Sequence, residues 1–175
     1  MKNSESMRVG VVVERRRLHN PWQEYSWRPV EVVPGLVPAE DWQILYETDD
    51  LGRYLAGTLT IELFPGETEG YRRNLSQRTP VVFVILRPLE GTCEERPKLF
   101  LATVCPNEAQ EYLEGGDDIV EGVPMPTAVA AWVQAYVARY HHRERVFEKR
   151  KRKPSDPRRG DGPGGERGGG GSGHD

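Results

Sequence analysis

Apolar residues recur in short runs along the first two thirds of the chain, and polar turns separate these runs. In one run, Leu59, Ile61 and Leu63 alternate with Thr60 and Glu62, which is the pattern of an antiparallel strand buried on one face. The runs together predict six strands, over residues 8–18, 25–33, 42–48, 53–64, 80–89 and 98–105. Short polar links join most of them, as in hairpins, so the sequence predicts a mostly antiparallel sheet of about six strands.

Some of these strands also indicate their position in the sheet. The strand at 80–89 is a continuous apolar run, which predicts that it is the most buried strand. The strand at 8–18 starts apolar on both faces, and we expect it to be central, with residues 14–17 reaching solvent. Pro29 stands where the apolar phase of its strand changes, which predicts an edge strand or a β-bulge. Residues 117–126 are expected to form a connector.

A different periodicity marks the helices. Pro106 suits the first position of a short helix, with Cys105 or Asn107 as its cap, and the Gly115–Gly116 pair ends it. From Thr127 onward, apolar residues recur at i, i+3, i+4, i+7, i+8 and i+11, which predicts a long amphipathic C-terminal helix. Its apolar stripe consists of Val129, Trp132, Val133, Tyr136, Val137 and Tyr140. Strands followed by helices, without βαβ alternation, predict the α+β class.

The chain divides into four predicted segments. Residues 1–7 are polar and are expected to be frayed, and residues 8–142 form a single α+β domain. Residues 143–153 continue the last helix as a basic extension. Residues 154–175 are rich in glycine and proline and cannot bury apolar surface, so we expect a disordered tail.

The charge distribution excludes some classes of protein. The formal net charge is −3, but from position 143 onward ten Lys and Arg residues face six Asp and Glu, so this tail carries +4 and the rest carries −7. A mildly acidic body argues against a nucleic-acid-binding domain. No apolar run approaches the roughly 20 residues that span a bilayer, and the N-terminus lacks the apolar core of a signal peptide. These features predict a cytoplasmic protein.

The sequence contains no complete catalytic, metal or cofactor motif. Neither glycine-rich phosphate-binding pattern follows a strand, and the two cysteines form no CxxC pair. His141 and His142 are adjacent, so they point in different directions on a helix, and we interpret them as a solvated helix end. Cys105 stands at a helix N-terminus, where it is either a reactive thiol or a small core residue. We therefore assign no catalytic residue, metal or cofactor.

The stretch ELFPGETEGYRRNL carries the densest group of charges in the predicted domain. Glu67 and Glu69 resemble a carboxylate pair, and Arg72 and Arg73 an anion clamp. A short helix explains the same residues, because its N-terminus favours acidic side chains and its C-terminus basic ones. In that helix Tyr71 and Leu75 pack on the core side, and Asn74 closes the turn before Pro80. The interpretation as a structural corner is favoured over catalysis.

Aromatic residues cluster near the second predicted strand. Trp22, Tyr25 and Trp27 lie within six residues, beside Arg28 and Pro29. Aromatic residues and arginine are enriched in the centres of protein interfaces. They also cover the faces of sheets, and both interpretations stay open.

Three segments of the chain carry a family resemblance. They are YSWRPVEV, ELFPGETEGYRRNLSQRTPVVFVILRP and TVCPNEAQEYLEGGDDIVEGVPMPTAVAAWVQAYVARYHH. With them, residues 8–142 resemble an uncharacterised bacterial family, a domain of unknown function of the three-thousand-three-hundred series. Members are typically encoded beside molybdenum- or tungsten-dependent formate dehydrogenase genes. Some are labelled molybdopterin-guanine dinucleotide biosynthesis protein A, although this sequence lacks the LAGGxSxRMG-type loop of that guanylyltransferase.

The resemblance implies a context and no catalytic residues. The preferred hypothesis is a non-enzymatic accessory protein that binds a subunit of a molybdenum-dependent formate dehydrogenase during assembly, maturation or regulation. The alternative is an enzyme or carrier in molybdenum cofactor biosynthesis, which needs Arg53, Arg72 or Arg73 facing a pocket. A third hypothesis, nucleic-acid binding through the basic run at 149–153, is the least favoured. The expected partner-binding residues are Trp22, Trp27, Arg28, Pro29, Glu67, Glu69, Tyr71, Arg72 and Asn74.

Overall fold

The computed structural model describes residues 3–89 and 96–152, and for residues 142–152 it describes only the course of the helix. The strands are β1 (Glu5–Arg17), β2 (Tyr25–Pro34), β3 (Gln43–Glu47), β4 (Leu51–Leu63), β5 (Val81–Arg87), β6 (Lys98–Thr103) and β7 (Ile119–Pro124). The helices are α1 (Thr68–Leu75), α2 (Pro106–Gly115) and α3 (Thr127–Arg152), and a 3₁₀ turn (Pro65–Glu67) leads into α1. The described residues therefore have the predicted α+β fold.

The strands form two antiparallel sheets. One sheet has the order β2-β1-β4-β3 and the other the order β6-β5-β7. β1 lies inside its sheet, as predicted, and β5 is the middle strand of the other sheet. Because β4 lies beside β6 and β2 beside β7, the two sheets enclose one apolar core.

The second strand carries a β-bulge beside its proline. Val13 of β1 pairs with Pro29, whereas Val12 pairs with Glu31, so Val30 is the extra residue of β2. β2 is also an edge strand of its sheet. Proline lacks the backbone donor that a regular ladder needs, and the edge position and the bulge accommodate it. The prediction for this position is confirmed.

The predicted ends of α2 and the predicted start of α3 are confirmed. α2 begins at Pro106 with Cys105 at the N-cap, and Gly116 follows the helix in the left-handed conformation, with φ of 86°. α3 begins at Thr127 and continues to Arg152. The apolar stripe of α3 packs into the core, with Val129, Val133 and Tyr136 fully buried.

The N-terminus is more ordered than the sequence predicted. β1 begins at Glu5, and hydrogen bonds join its N-terminal end to α3. The Trp132 Nε1 group donates to the Glu5 carboxylate at 3.2 Å, and the Tyr136 hydroxyl donates to the Asn3 carbonyl at 2.8 Å. These partners lie more than a hundred positions away in the sequence, so polarity alone suggested a frayed end. The predicted glycine-rich tail lies outside the described residues.

Three further expectations are corrected. The strands form two sheets, because the 3₁₀ turn and α1 carry the chain from β4 to the second sheet. The expected connector contains β7, an edge strand in which only Val123 is fully buried, so its sequence shows little alternation. Glu14, expected in solvent, is only 2% exposed because Arg28 and Arg53 flank it on the neighbouring strands.

Candidate functional site

The corner between β4 and β5, here defined as residues 64–76, rests on a buried asparagine. The Asn74 amide donates to the Val81 carbonyl at 2.7 Å and to the Val104 carbonyl at 2.9 Å. Its oxygen accepts from the Val81 N–H at 3.0 Å. The side chain closes the turn before β5, as predicted, and also binds the end of β6. Asn74 is fully buried, so it positions the corner and has no exposed surface to offer a partner.

Tyr71 is the second anchor of the corner. Its ring lies in the core and meets the Tyr136 ring of α3 edge to face, with the centroids 6.3 Å apart. Its hydroxyl accepts from the Phe64 N–H at 3.0 Å. Burial raises the pKa of this hydroxyl far above its ordinary value, so it stays protonated. Tyr71 thus supports the corner from inside, and Leu75 also packs against the core.

The Cys105 thiol belongs to the same region. It is buried at the N-cap of α2 and donates to the Glu67 carboxylate at 3.1 Å. Burial is the main reason that the pKa of the thiol is raised, and Glu67 raises it further by hydrogen bonding and by charge. Backbone hydrogen bonds at the start of α2 act in the opposite direction but do not dominate. The thiol stays protonated at neutral pH, which opposes a role as nucleophile.

The charged residues of the corner contact three separate groups, since Arg72 and Glu69 both lie beside His141. Arg72 approaches the His141 ring at 2.9 Å, whereas Arg73 donates to the Asn107 side chain of α2 at 2.8 Å. Glu67 binds the thiol, and the exposed Glu69 lies 3.9 Å from Arg72. Neither the carboxylate pair nor the anion clamp is therefore assembled. The acidic first turn and basic last turn of α1 match the predicted helix-end electrostatics.

His141 joins the corner to α3. The sequence suggested a solvated helix end, but the side chain is only 14% exposed. Its two ring nitrogens lie 3.1 Å from the Thr68 hydroxyl and 2.9 Å from Arg72. Because α3 packs against α1, a residue beyond the predicted apolar stripe is still covered. Only the tertiary packing determines this contact.

The aromatic residues near β2 do not form one surface. Trp27 packs with Trp42 and Tyr54, with ring centroids 5.6 Å and 6.0 Å away, and lies against the core. Trp22 is 89% exposed in the turn before β2. Arg28 is exposed, and its guanidinium approaches Glu14 at 3.8 Å. Pro29 is buried. Of the four predicted contact residues, Trp22 and Arg28 are thus available to a partner.

The clearest exposed apolar surface is one that the sequence did not indicate. Strand β3 lies at the edge of its sheet and, among the strands that the structure describes, pairs with β4 alone. Its side chains Ile44, Leu45 and Tyr46 are 60%, 52% and 54% exposed. A soluble sheet usually protects such an edge with charges, proline or a covering element. The run looked like an ordinary strand in the sequence, because exposure depends on which strands lie beside it.

The described residues contain neither a metal-binding cluster nor a membrane-spanning helix. Across 3–89 and 96–152, no cluster of His, Cys, Asp and Glu side chains is arranged to hold a metal ion. In the same ranges, no helix has the length and apolar character needed to cross a membrane.

Comparison with known proteins gives one family match. Residues 8–153 match the family described as Protein of unknown function (DUF3305). The chain belongs to this family. The match includes the corner, the edge strand β3 and both sheets except the first three residues of β1, so these features lie within the family domain. No curated protein and no solved structure matches the chain.

Proposed function

We propose that this protein is a non-enzymatic accessory protein that acts by binding another protein through strand β3. The observation that carries the proposal is the exposure of Ile44, Leu45 and Tyr46 on an edge strand. Such an edge offers unpaired backbone groups and apolar side chains together. An extended segment of a partner could add to it as a further strand, with backbone hydrogen bonds for affinity and side-chain contacts for specificity.

The residues best suited to chemistry support binding over catalysis. Cys105 is buried, protonated and hydrogen-bonded to Glu67. His141 contacts Thr68 and Arg72, so its two ring nitrogens are occupied within the fold. A general base or nucleophile needs access to a substrate. These residues instead connect α1, α2 and α3.

The expected partner is a subunit of a molybdenum-dependent formate dehydrogenase. This part of the proposal rests on the resemblance to a bacterial family whose members are typically encoded beside formate dehydrogenase genes. A subunit awaiting its cofactor or its neighbouring subunits exposes apolar segments that later become buried. An apolar strand edge suits such a segment, and the accessory role would be assembly, maturation or regulation.

The test uses two leucines with the same exposure. Leu45 on β3 and Leu113 on α2 are each 52% exposed, so Leu113→Lys controls for the loss of a surface leucine. We expect Leu45→Lys to reduce recovery of the dehydrogenase subunit with the tagged protein by roughly tenfold, since a lysine on an edge strand opposes pairing. Leu113→Lys should bind as the wild type does. Dehydrogenase activity in a deletion strain carrying each variant should follow the same order.

Two results would count against this proposal. Equal recovery with Leu45→Lys and wild type would remove β3 as the binding surface. Unchanged activity and cofactor content of the dehydrogenase after gene deletion would break the link with that enzyme.

A second candidate, a carrier or enzyme in molybdenum cofactor biosynthesis, has one observation in its favour. Arg53 lines a cavity of about 520 Å³ between β2 and the start of α3, together with Glu31, Met125 and Thr127. This volume lies within the range of small-molecule sites. Calorimetry with GTP and with the pterin cofactor tests it, and binding that survives Arg53→Gln would exclude this cavity as the site.

A further inference from the structure

The register of the first sheet places one acidic and three basic side chains together near the ends of β1, β2 and β4. Glu14 pairs with Arg28 of β2 and with Arg53 of β4, and Arg16 pairs with Ser26. Alternate residues of a strand share a face, so Glu14 and Arg16 lie on one side of the sheet beside Ser26 and Arg28. We call Glu14, Arg16, Arg28 and Arg53 the arginine cluster.

The carboxylate at the centre of the cluster is buried and the guanidiniums around it are exposed. The Glu14 side chain is 3% exposed, against 62%, 58% and 49% for Arg16, Arg28 and Arg53. Arg53 donates from Nε and Nη2 to one carboxylate oxygen at 3.3 Å and 3.2 Å. This contact alone matches the single negative charge of Glu14. A buried carboxylate needs such a partner, so Arg53 is explained by the fold.

Arg16 and Arg28 are then left with excess positive charge. Both approach the other carboxylate oxygen of Glu14, at 3.2 Å and 3.8 Å. Among the described residues, Glu14 is the only acidic group that forms an ion pair with either of them. The two guanidiniums repel each other, and a further negative charge between them would offset this repulsion. Their exposed sides face a recess of about 220 Å³ that Glu14 and Ser26 also line.

We infer that the recess between Arg16 and Arg28 binds a phosphate dianion. Two guanidiniums can each donate a pair of hydrogen bonds to phosphate oxygens, and the Ser26 hydroxyl can donate another. The recess is smaller than the ~300–1,000 Å³ typical of whole-ligand pockets, so it suits a single phosphate group. Glu14 accepts a hydrogen bond from Arg16 at 3.2 Å and forms an ion pair with Arg28 at 3.8 Å, so it lies next to both arginines. This inference is independent of the proposed partner binding at β3.

The test is a titration of the full-length protein with inorganic phosphate and with methyl phosphate. The readout is the side-chain Nε–H resonances of Arg16 and Arg28, together with the backbone N–H resonances of Arg16, Ser26 and Arg28. We expect saturable shifts at these resonances that sodium chloride at equal ionic strength does not reproduce. Tighter binding of methyl phosphate than of inorganic phosphate would identify a phosphoester as the ligand, and the opposite order would identify the free anion.

Two variants distinguish a site from general charge attraction. Arg28→Gln keeps Glu14 paired with Arg16 and Arg53, and we expect it to weaken phosphate binding by roughly tenfold or more. Arg139→Gln removes the same charge from α3, where Arg139 pairs with Glu5, and should bind phosphate as the wild type does. Arg16→Gln provides a second test should Arg28→Gln fail to fold. Shifts that do not saturate, that chloride reproduces, or that persist in both cluster variants would overturn the inference.

Discussion

At the residue scale, this fold depends on a few polar side chains placed where apolar ones would be expected. Asn74, Tyr71 and Cys105 are all buried in or beside the corner. Asn74 and Cys105 bond to residues 30 and 38 positions away, and Tyr71 bonds to Phe64 at the start of the corner. A buried polar group is costly to leave without a partner and modestly stabilising when it is bonded. These residues therefore specify how the corner sits on the two sheets.

Substitution of Asn74 should be among the most damaging single changes in the domain. Asn74→Ala would leave the Val81 N–H and two backbone carbonyls without their partner. At about 1–3 kcal/mol for each buried group left unsatisfied, and with partial relaxation, we expect a loss of about 3 kcal/mol in the free energy of unfolding. Urea denaturation measures it.

Ser76→Ala is the control for this change. Ser76 is exposed and its hydroxyl donates to the Arg73 carbonyl in the same turn, so its loss should cost less than about 1 kcal/mol. If Asn74→Ala proved as mild as Ser76→Ala, the asparagine would not be the anchor of the corner.

At the element scale, the start of α2 shows two opposing effects on one thiol. The N-terminus of a helix lowers a cysteine pKa, whereas burial and a neighbouring carboxylate raise it. For Cys105 the effects of burial and of the neighbouring carboxylate outweigh that of the helix N-terminus, so the pKa of the thiol is raised. A sequence shows the helix start but neither the burial nor Glu67, which lies 38 positions earlier.

Alkylation of Cys105 tests this balance. In a Cys93→Ser background, we expect iodoacetamide at pH 8 to modify the folded protein roughly ten times more slowly, or slower still, than the urea-unfolded chain. Glu67→Gln removes a negative charge beside the thiol, so the pKa should fall and the alkylation rate at a given pH should rise.

Glu69→Gln gives the matched control. Glu69 lies two residues away, is 70% exposed and does not contact the thiol, so its removal should leave the rate unchanged. If the folded protein and the urea-unfolded chain were alkylated at the same rate, the Cys105 thiol would be neither buried nor raised in pKa.

At the scale of the whole molecule, two antiparallel sheets share a core with α3, and buried tyrosines lie at separate places in it. Tyr71 meets α3, and Tyr54 packs between Trp27 and Trp42. Burial, followed by the hydrogen bond to Glu47, raises the pKa of Tyr54 to about 12. Burial raises the pKa of Tyr71 as well.

The raised pKa values of these two tyrosines predict how the free energy of unfolding changes at alkaline pH. A group with a raised folded pKa stabilises the fold below its unfolded pKa, about 10 for tyrosine, and this contribution is lost as pH rises through the folded pKa. The free energy of unfolding should therefore decline above about pH 10. Tyr71→Phe should make the decline shallower, because one ionising group is removed from the unfolded chain.

Measurements near neutral pH provide the internal control for this prediction. At pH 7 both tyrosines are protonated in folded and unfolded chains, so Tyr71→Phe should cost only its hydrogen bond with Phe64, about 1 kcal/mol. Denaturation curves from pH 7 to 11 separate the two effects. A parallel loss of stability in both proteins across that range would contradict the assignment.

The sequence predicted much of the fold because local chemistry decided it. Pro29 marked the bulge, Pro106 and Gly116 marked the ends of α2, and the apolar stripe marked α3. β7 was missed because an edge strand buried at one residue has little periodicity. The division into two sheets was missed because strand runs and short links do not say which strands pair.

The candidate surfaces depended much more on tertiary structure. Hydrophobic period, turn residues and helix caps act within a few positions, so the sequence by itself determined the α+β class, the corner helix and the basis of the family resemblance. The exposure of β3, the burial of Glu14 and the contact of His141 with α1 each join residues far apart in the chain. Strand order and register decide those contacts, because they determine which side chains meet and which remain in solvent.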